Sequence, residues 1–132
     1  MLINDGNDRL EIIAIECVPE TLPTPGDTRF SVDVTSGGFT GSGWAWIDAE
    51  CLRAFVDDLR ALEISRDGAA EVESMSPGQF RLRIWATDRA GHVALAGSLS
   101  RAKQSLEFSF SFCPTLLPGL VSEFAAIVKA SA

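Results

Sequence analysis

The most constraining feature of this chain is a strand-like alternation that runs directly into a helical pattern, and it occurs twice. In SLEFSFSFC, residues 105–113, every second residue from Leu106 is apolar, which is the period of a strand with one buried face. The next segment, residues 117–128, carries apolar residues at helical spacing. GWAWIDAECLRAFVDDL, residues 43–59, shows the same change. Such a chain must place strands and helices on a common core.

Capping residues predict where the two helices begin. The carboxylate of Asp48 can accept a hydrogen bond from the free amides of a first helical turn, so Asp48 is the predicted N-cap of the first helix. Thr115 is the predicted cap of the second helix, with Pro118 in its first turn. The buried stripe predicted for the first helix consists of Leu52, Phe55, Val56, Leu59 and Leu62.

The remaining strands are separated by residues that favour turns. Asp5-Gly6 predicts a hairpin between Leu2–Ile3 and Arg9–Val18. Within the second arm, Ile12 and Ile13 put apolar groups on both faces, which predicts a bulge or burial on two sides. A proline-rich loop follows, and further strands are predicted over residues 28–35, 39–47, 69–75, 79–87 and 92–99. In residues 39–47, either face can be the buried one.

Together these elements predict an α+β fold, with a mainly antiparallel sheet of about seven or eight strands and two amphipathic helices packed on it. Both halves of the chain run several strands, a hairpin and a helix, which raises the hypothesis of two ββββα pseudo-repeats. At 132 residues, the chain fits a single domain spanning residues 1–132.

Composition argues against several classes of function. The net charge of −7 opposes nucleic-acid binding, which needs a basic surface, and favours a basic protein as the partner. The three cysteines Cys17, Cys51 and Cys113 match neither a zinc site nor a disulfide framework, so each is expected to pack as a small apolar residue. No signal peptide or membrane segment is apparent, and we expect a cytoplasmic protein.

The sequence carries little that points to catalysis. His92 is the only histidine, and Asp88 precedes it by four residues in a turn, where a local hydrogen bond is the expected role. No nucleophile motif, glycine-rich phosphate loop or metal-ligand spacing accompanies this pair. We therefore predict no enzymatic activity, no cofactor and no metal.

Aromatic and charged residues indicate surfaces for interaction instead. Tryptophan and arginine concentrate binding energy at protein interfaces, although the indoles can also pack under a helix or a loop. The alternative use of exposed indoles is stacking, in a binding module for a small molecule or a glycan. The predicted interaction residues are Trp44, Trp46, Arg81, Arg83 and Trp85, with the acidic residues Glu50, Asp57 and Asp58 of the first helix.

Five segments spread over nearly the whole chain resemble a bacterial protein family that is similar to the WapI-type immunity proteins. They are LINDGNDRLEI, WAWIDAECLRAFVDDL, VESMSPGQFRLRI, DRAGHVALAGSL and LEFSFSFCPTLLPGL. The resemblance implies a non-enzymatic cytosolic protein, without a cofactor, that neutralises the toxic tip of a secreted contact-dependent toxin. It therefore predicts a protein-binding domain that occludes a toxin, and the charge balance favours a basic toxin domain as the partner.

Overall fold

The two strand-and-helix patterns form two ββββα units in a computed structural model, which describes residues 1–130. The strands are β1 (Leu2–Asp5), β2 (Asp8–Cys17), β3 (Thr28–Ser36), β4 (Phe39–Ile47), β5 (Ala69–Glu73), β6 (Phe80–Ala86), β7 (Val93–Arg101) and β8 (Gln104–Phe112). Helix α1 (Ala49–Ser65) follows β4, and helix α2 (Leu117–Ala130) follows β8 after a short 3₁₀ turn, Pro114–Leu116. The element order repeats, as the pseudo-repeat hypothesis requires.

The strands described in residues 1–130 divide into two antiparallel sheets of four. The first sheet has the order β1-β2-β3-β4, and the second sheet has the order β5-β6-β7-β8. The predicted α+β fold with antiparallel strands and two helices is confirmed. The eight strands form two sheets rather than one continuous sheet, because each strand in the described residues pairs only with strands that are its neighbours in the chain on the same side of α1.

The first hairpin follows its turn chemistry, and β2 contains a bulge. Gly6 adopts a positive φ of 60° in the turn between β1 and β2, a conformation that costs glycine little. In β2, Ala14 pairs with Phe30 and Glu16 pairs with Arg29, so the residue between them is the extra one. The bulge therefore lies beyond Ile13, whose side chain is exposed rather than buried on a second side.

The orientation of β4, which its sequence left open, is decided by glycines. Ala45 and Ile47 are buried, so the glycine-bearing side of β4 faces the core. A Cβ atom at Gly41 would lie 3.0 Å from Cδ2 of Leu106, and one at Gly43 would lie 3.1 Å from a Leu99 methyl group. The leucines of the second sheet thus fill the space above these glycines, and the two tryptophans of β4 point outward.

Two carboxylates hold the start of α1. Asp48 accepts a hydrogen bond from the Cys51 N–H at 2.7 Å, which confirms the predicted N-cap. Asp27, a buried residue at the end of the proline-rich loop, accepts one from the Ala49 N–H at 3.0 Å. The predicted stripe is buried in full: Leu52, Phe55, Val56, Leu59 and Leu62.

One hydrophobic cluster contains residues from both sheets and both helices. In α2, the Phe124 ring lies 6.4 Å from the Phe30 ring in β3 and 5.2 Å, edge-on, from the Phe55 ring in α1. A backbone hydrogen bond of 2.8 Å from the Met75 N–H to the Trp46 carbonyl also links the chain after β5 to β4. The core therefore lies between the sheets and helices, and the opposite face of each sheet is turned outward.

Two expectations about local structure are wrong. Thr115 does not cap α2, because it lies inside the 3₁₀ turn and its hydroxyl contacts the Cys113 thiol at 3.0 Å. That hydrogen bond lowers the pKa of the Cys113 thiol. Cys17 and Cys113 are exposed rather than packed as apolar residues, because they lie at or just beyond the ends of strands, while Cys51 is half-buried.

Candidate functional site

The residues predicted to interact lie on three exposed surfaces. These are the outer face of the first sheet, the outer face of the second sheet and the solvent side of α1. The residues are Trp44 and Trp46 on the first, Arg81, Arg83 and Trp85 on the second, and Glu50, Asp57 and Asp58 on the third. The structure thus distributes the predicted set over three surfaces of the molecule.

The outer face of the first sheet presents large apolar side chains around a small one. Ile13, Ser31 and Trp44 are cross-strand partners in β2, β3 and β4, so their side chains form one row. Ile13 is 45% exposed and Trp44 is 47% exposed. Ser31, the small residue between them, is half-buried.

An arginine holds the exposed indole in place. The Arg29 guanidinium lies 5.5 Å from the centre of the Trp44 ring, a cation–π geometry, and its Nη2 atom is 3.3 Å from a Glu16 carboxylate oxygen. In the described part of the chain, the buried Nε of Arg29 has no hydrogen-bond acceptor. Trp46, the cross-strand partner of Arg29, is half-buried. Arg29 and Glu16 therefore restrain the orientation of the exposed Trp44 indole.

A polar groove adjoins this row. Leu2, Glu11, Asp33 and Ser42 form the next row across the four strands, and Leu2 is 41% exposed. The Ser42 hydroxyl donates a hydrogen bond of 2.5 Å to the Asp33 carboxylate. Glu11, Asp33 and Ser42 line a groove of about 300 Å³ together with Arg9, which lies 3.5 Å from the Glu11 carboxylate. The first sheet thus places carboxylates next to exposed apolar side chains.

The outer face of the second sheet is more polar. Arg81 pairs with Glu71 at 2.6 Å, while the Arg83 guanidinium lies 5.1 Å from the centre of the Trp85 ring. Trp85 is half-buried. The two arginines border an open groove of about 570 Å³ whose floor includes Ala96. The predicted aromatic and arginine combination therefore exists on this sheet, with less exposed apolar surface.

The acidic residues on α1 are free of internal partners. Glu50, Asp57 and Asp58 are all exposed. Among residues 1–130, none of these three carboxylates takes part in a side-chain hydrogen bond or an ion pair. Their negative charge is available to an approaching partner, and solvent and salt screen it.

His92 makes the local hydrogen bond that its position in the turn predicts. Its Nδ1 atom lies 2.7 Å from the Asp88 carboxylate, and both side chains are exposed. The hydrogen bond from His92 is the main reason that the pKa of Asp88 is lowered. Of the described residues, no three His, Cys, Asp or Glu side chains gather into a group able to hold a metal ion.

The predicted interaction residues do not include Leu2, Ile13 and Asp33 of the first-sheet face, although the sequence placed Ile12 and Ile13 on opposite faces of their strand. Two of them were detectable, because Leu2 and Ile13 each lie beside another apolar residue, Ile3 and Ile12. In a strand only one member of such a pair can face the core, so the other must be exposed or covered by a partner. No sequence pattern distinguished Asp33 from other outward polar residues, which are usual in strands with one buried face.

Residues 1–131 match the model described as the Immunity protein WapI-like family. The chain belongs to this family. Membership agrees with the resemblance seen in the five sequence segments, and it implies an immunity role with a toxin as the partner. No curated protein matches the chain. Neither helix of this WapI-like protein, over the residues described, is long and apolar enough to cross a membrane.

Two solved plant structures are similar to this WapI-like chain in fold. The crystal structure of WHY3 from Arabidopsis thaliana has 14% sequence identity and a TM-score of 0.54, and the match covers 97% of this chain and 85% of that chain. The structure of the plant transcriptional regulator PBF-2 has 12% identity and a TM-score of 0.50, covering 97% and 79% of the two chains. At this identity the likeness concerns the arrangement of strands and helices alone.

Proposed function

We propose that this chain is a non-enzymatic immunity protein that acts in the cytoplasm and neutralises a contact-dependent or polymorphic toxin by occluding its active surface. The observation that carries the proposal is the family match over residues 1–131. Exposed Trp44, half-buried Trp46 and Trp85, and the unpaired acids of α1 support a protein-binding role, because aromatic anchors and complementary charge are what such interfaces use.

The proposed contact residues are the predicted ones. Trp44, Trp46 and Trp85 supply apolar area, and the arginines stacked on Trp44 and Trp85 hold those indoles in fixed positions. Glu50, Asp57 and Asp58 attract a basic toxin domain, which mainly accelerates encounter because exposed charges are screened once the complex has formed. The residues are Trp44, Trp46, Arg81, Arg83, Trp85, Glu50, Asp57 and Asp58.

Co-expression with the toxin encoded by the adjacent gene tests this proposal. Cells that express the toxin domain alone are expected to stop growing, and cells that also express this chain are expected to grow. A complex that co-elutes from a size-exclusion column at equal stoichiometry is the matching biochemical result. A neighbouring toxin that is neither bound nor neutralised would contradict the proposal.

A small-molecule or glycan-binding module is the second candidate, and one observation favours it. Trp44 borders a groove of about 600 Å³, together with Pro77 and Arg101, and an exposed indole beside a groove is a stacking platform. The groove is open, whereas small-ligand sites usually enclose most of the ligand. Quenching of tryptophan fluorescence by sugars or metabolites, without binding to the neighbouring toxin, would favour this candidate.

A further inference from the structure

Exposed apolar side chains are concentrated on one of the two sheets. Leu2, Ile13 and Trp44 all lie on the outer face of the first sheet and expose at least two-fifths of their surface. Within residues 1–130, no large apolar side chain on the outer face of the second sheet is exposed to this extent, and Trp85 there is half-buried. Monomeric proteins seldom leave such side chains clustered in solvent unless another molecule covers them.

Ile13 and Trp44 lie close enough for one partner segment to cover both. They are two strand spacings apart, which is about 10 Å between their Cα atoms, and Ser31 lies between them. A single apolar segment of a partner can therefore pack against both side chains. Arg29 already restrains the Trp44 indole, so little side-chain conformational entropy is lost when a partner packs against that ring.

A carboxylate beside these apolar side chains specifies what charge the partner must carry. Asp33 lies two residues beyond Ser31 on β3, about 7 Å along the strand on the same face. Among the residues that the structure describes, its only side-chain partner is the Ser42 hydroxyl, and Arg9, which lines the same groove, pairs with Glu11 instead. Covering an unpaired carboxylate with protein is costly unless the covering surface supplies a cation.

We propose that the toxin covers the outer face of the first sheet, packing apolar side chains against Leu2, Ile13 and Trp44 and placing a lysine or arginine against Asp33. This inference rests on the proposed immunity function and adds the face and the chemistry of the toxin segment. A second copy of this chain fits less well, because the arginines that it would bring on this face, Arg9 and Arg29, already pair with Glu11 and Glu16.

Isothermal titration with the inactivated toxin domain from the adjacent gene tests the inference. We expect Trp44→Ala to weaken binding by about 30-fold or more and Ile13→Ala by about 5- to 30-fold, since the toxin covers both side chains. Asp33→Asn keeps the Ser42 contact and is expected to weaken binding by about 10-fold at low salt and by less at high salt. Circular dichroism verifies folding, and Ile13→Ala carries the test if Trp44→Ala does not fold.

Matched controls lie elsewhere on the surface. Leu22→Ala removes as many carbon atoms as Ile13→Ala from an exposed position in the proline-rich loop, and Glu20→Gln removes a carboxylate from the same loop. Each is expected to change the affinity by less than about twofold, as substitutions outside an interface usually do.

Three results would overturn the inference. If the wild-type chain does not bind the toxin, the proposed function fails together with it. If the wild type binds and Trp85→Ala weakens binding while Trp44→Ala and Asp33→Asn do not, the immunity role stands and the contact lies on the second sheet. If the chain alone sediments as a dimer that Ile13→Ala dissociates, a second copy occupies this face.

Discussion

Gly97 in β7 is a position where a single methyl group matters. A Cβ atom there would lie 2.5 Å from the Arg81 carbonyl oxygen and 2.6 Å from Cζ of Phe108. Neither the backbone of a paired strand nor a buried ring can move freely, so the substitution overpacks the sheet. We expect Gly97→Ala to lower the free energy of unfolding by about 1 to 3 kcal/mol, measured by urea denaturation.

Gly119 in α2 provides the matched control for this prediction. A Cβ atom at Gly119 meets no atom within 4 Å, and alanine favours a helix more than glycine does. Gly119→Ala is therefore expected to raise the free energy of unfolding by up to about 1 kcal/mol. A Gly97→Ala protein as stable as the wild type would contradict the packing described around Phe108.

The Asp88 and His92 pair makes a prediction about titration. Because the hydrogen bond from His92 lowers the pKa of Asp88, ¹³C NMR should place its midpoint below that of an ordinary aspartate. His92→Ala is expected to raise this midpoint. The pair stabilises the fold above the unfolded-state pKa, and that small contribution disappears as the pH falls through the lower folded-state pKa. A midpoint that does not respond to His92→Ala would show that the contact is absent in solution.

At the scale of single elements, the start of α1 can be tested through its two carboxylates. Asp48→Ala removes the acceptor for the Cys51 N–H and is expected to cost about 1 kcal/mol of unfolding free energy. Asp48→Asn keeps an acceptor and should cost only a few tenths of that amount. Asp27 still holds the Ala49 N–H in both variants, so the helix itself should remain. Equal losses for the two variants would argue against the cap.

Local patterns predicted most elements because they report which side of each element is buried. The stripe of α1, the alternation of β8 and the cap at Asp48 all followed from sequence, and each is confirmed. The burial of the glycine side of β4 did not follow, because Gly41 and Gly43 carry no side chain. Their partners, Leu106 and Leu99, lie more than fifty residues later in the chain, beyond any local pattern.

The candidate site was likewise predictable only where local patterns determine which side chains face outward. Exposed aromatic and charged residues could be proposed from the alternation, but the sheet register decides which outward side chains are neighbours. The row that joins Ile13 to Trp44 depends on two successive strand pairings and on a bulge placed beyond Ile13. These are properties of strand pairing, and a single strand does not contain them.

At the scale of the whole molecule, the shared core predicts cooperative unfolding as one domain. Phe124 contacts Phe30 of the first sheet and Phe55 of α1, and the buried cluster extends through both sheets. We expect tryptophan fluorescence and far-ultraviolet circular dichroism to report the same urea midpoint. The two sheets can be tested separately. In Trp85→Phe the remaining tryptophans, Trp44 and Trp46, report on the unfolding of the first sheet only. Separate midpoints for the two sheets would contradict a single cooperative unit.

The alternation of β3 also bears on how such a protein can evolve. Phe30, Val32 and Val34 keep the fold, while Ser31 and Asp33, interleaved with them, face away from the core. Mutations at the outward positions can therefore alter recognition while leaving the folding free energy nearly unchanged. As the toxin changes, the outward positions of the strand can therefore diverge while the buried positions stay the same.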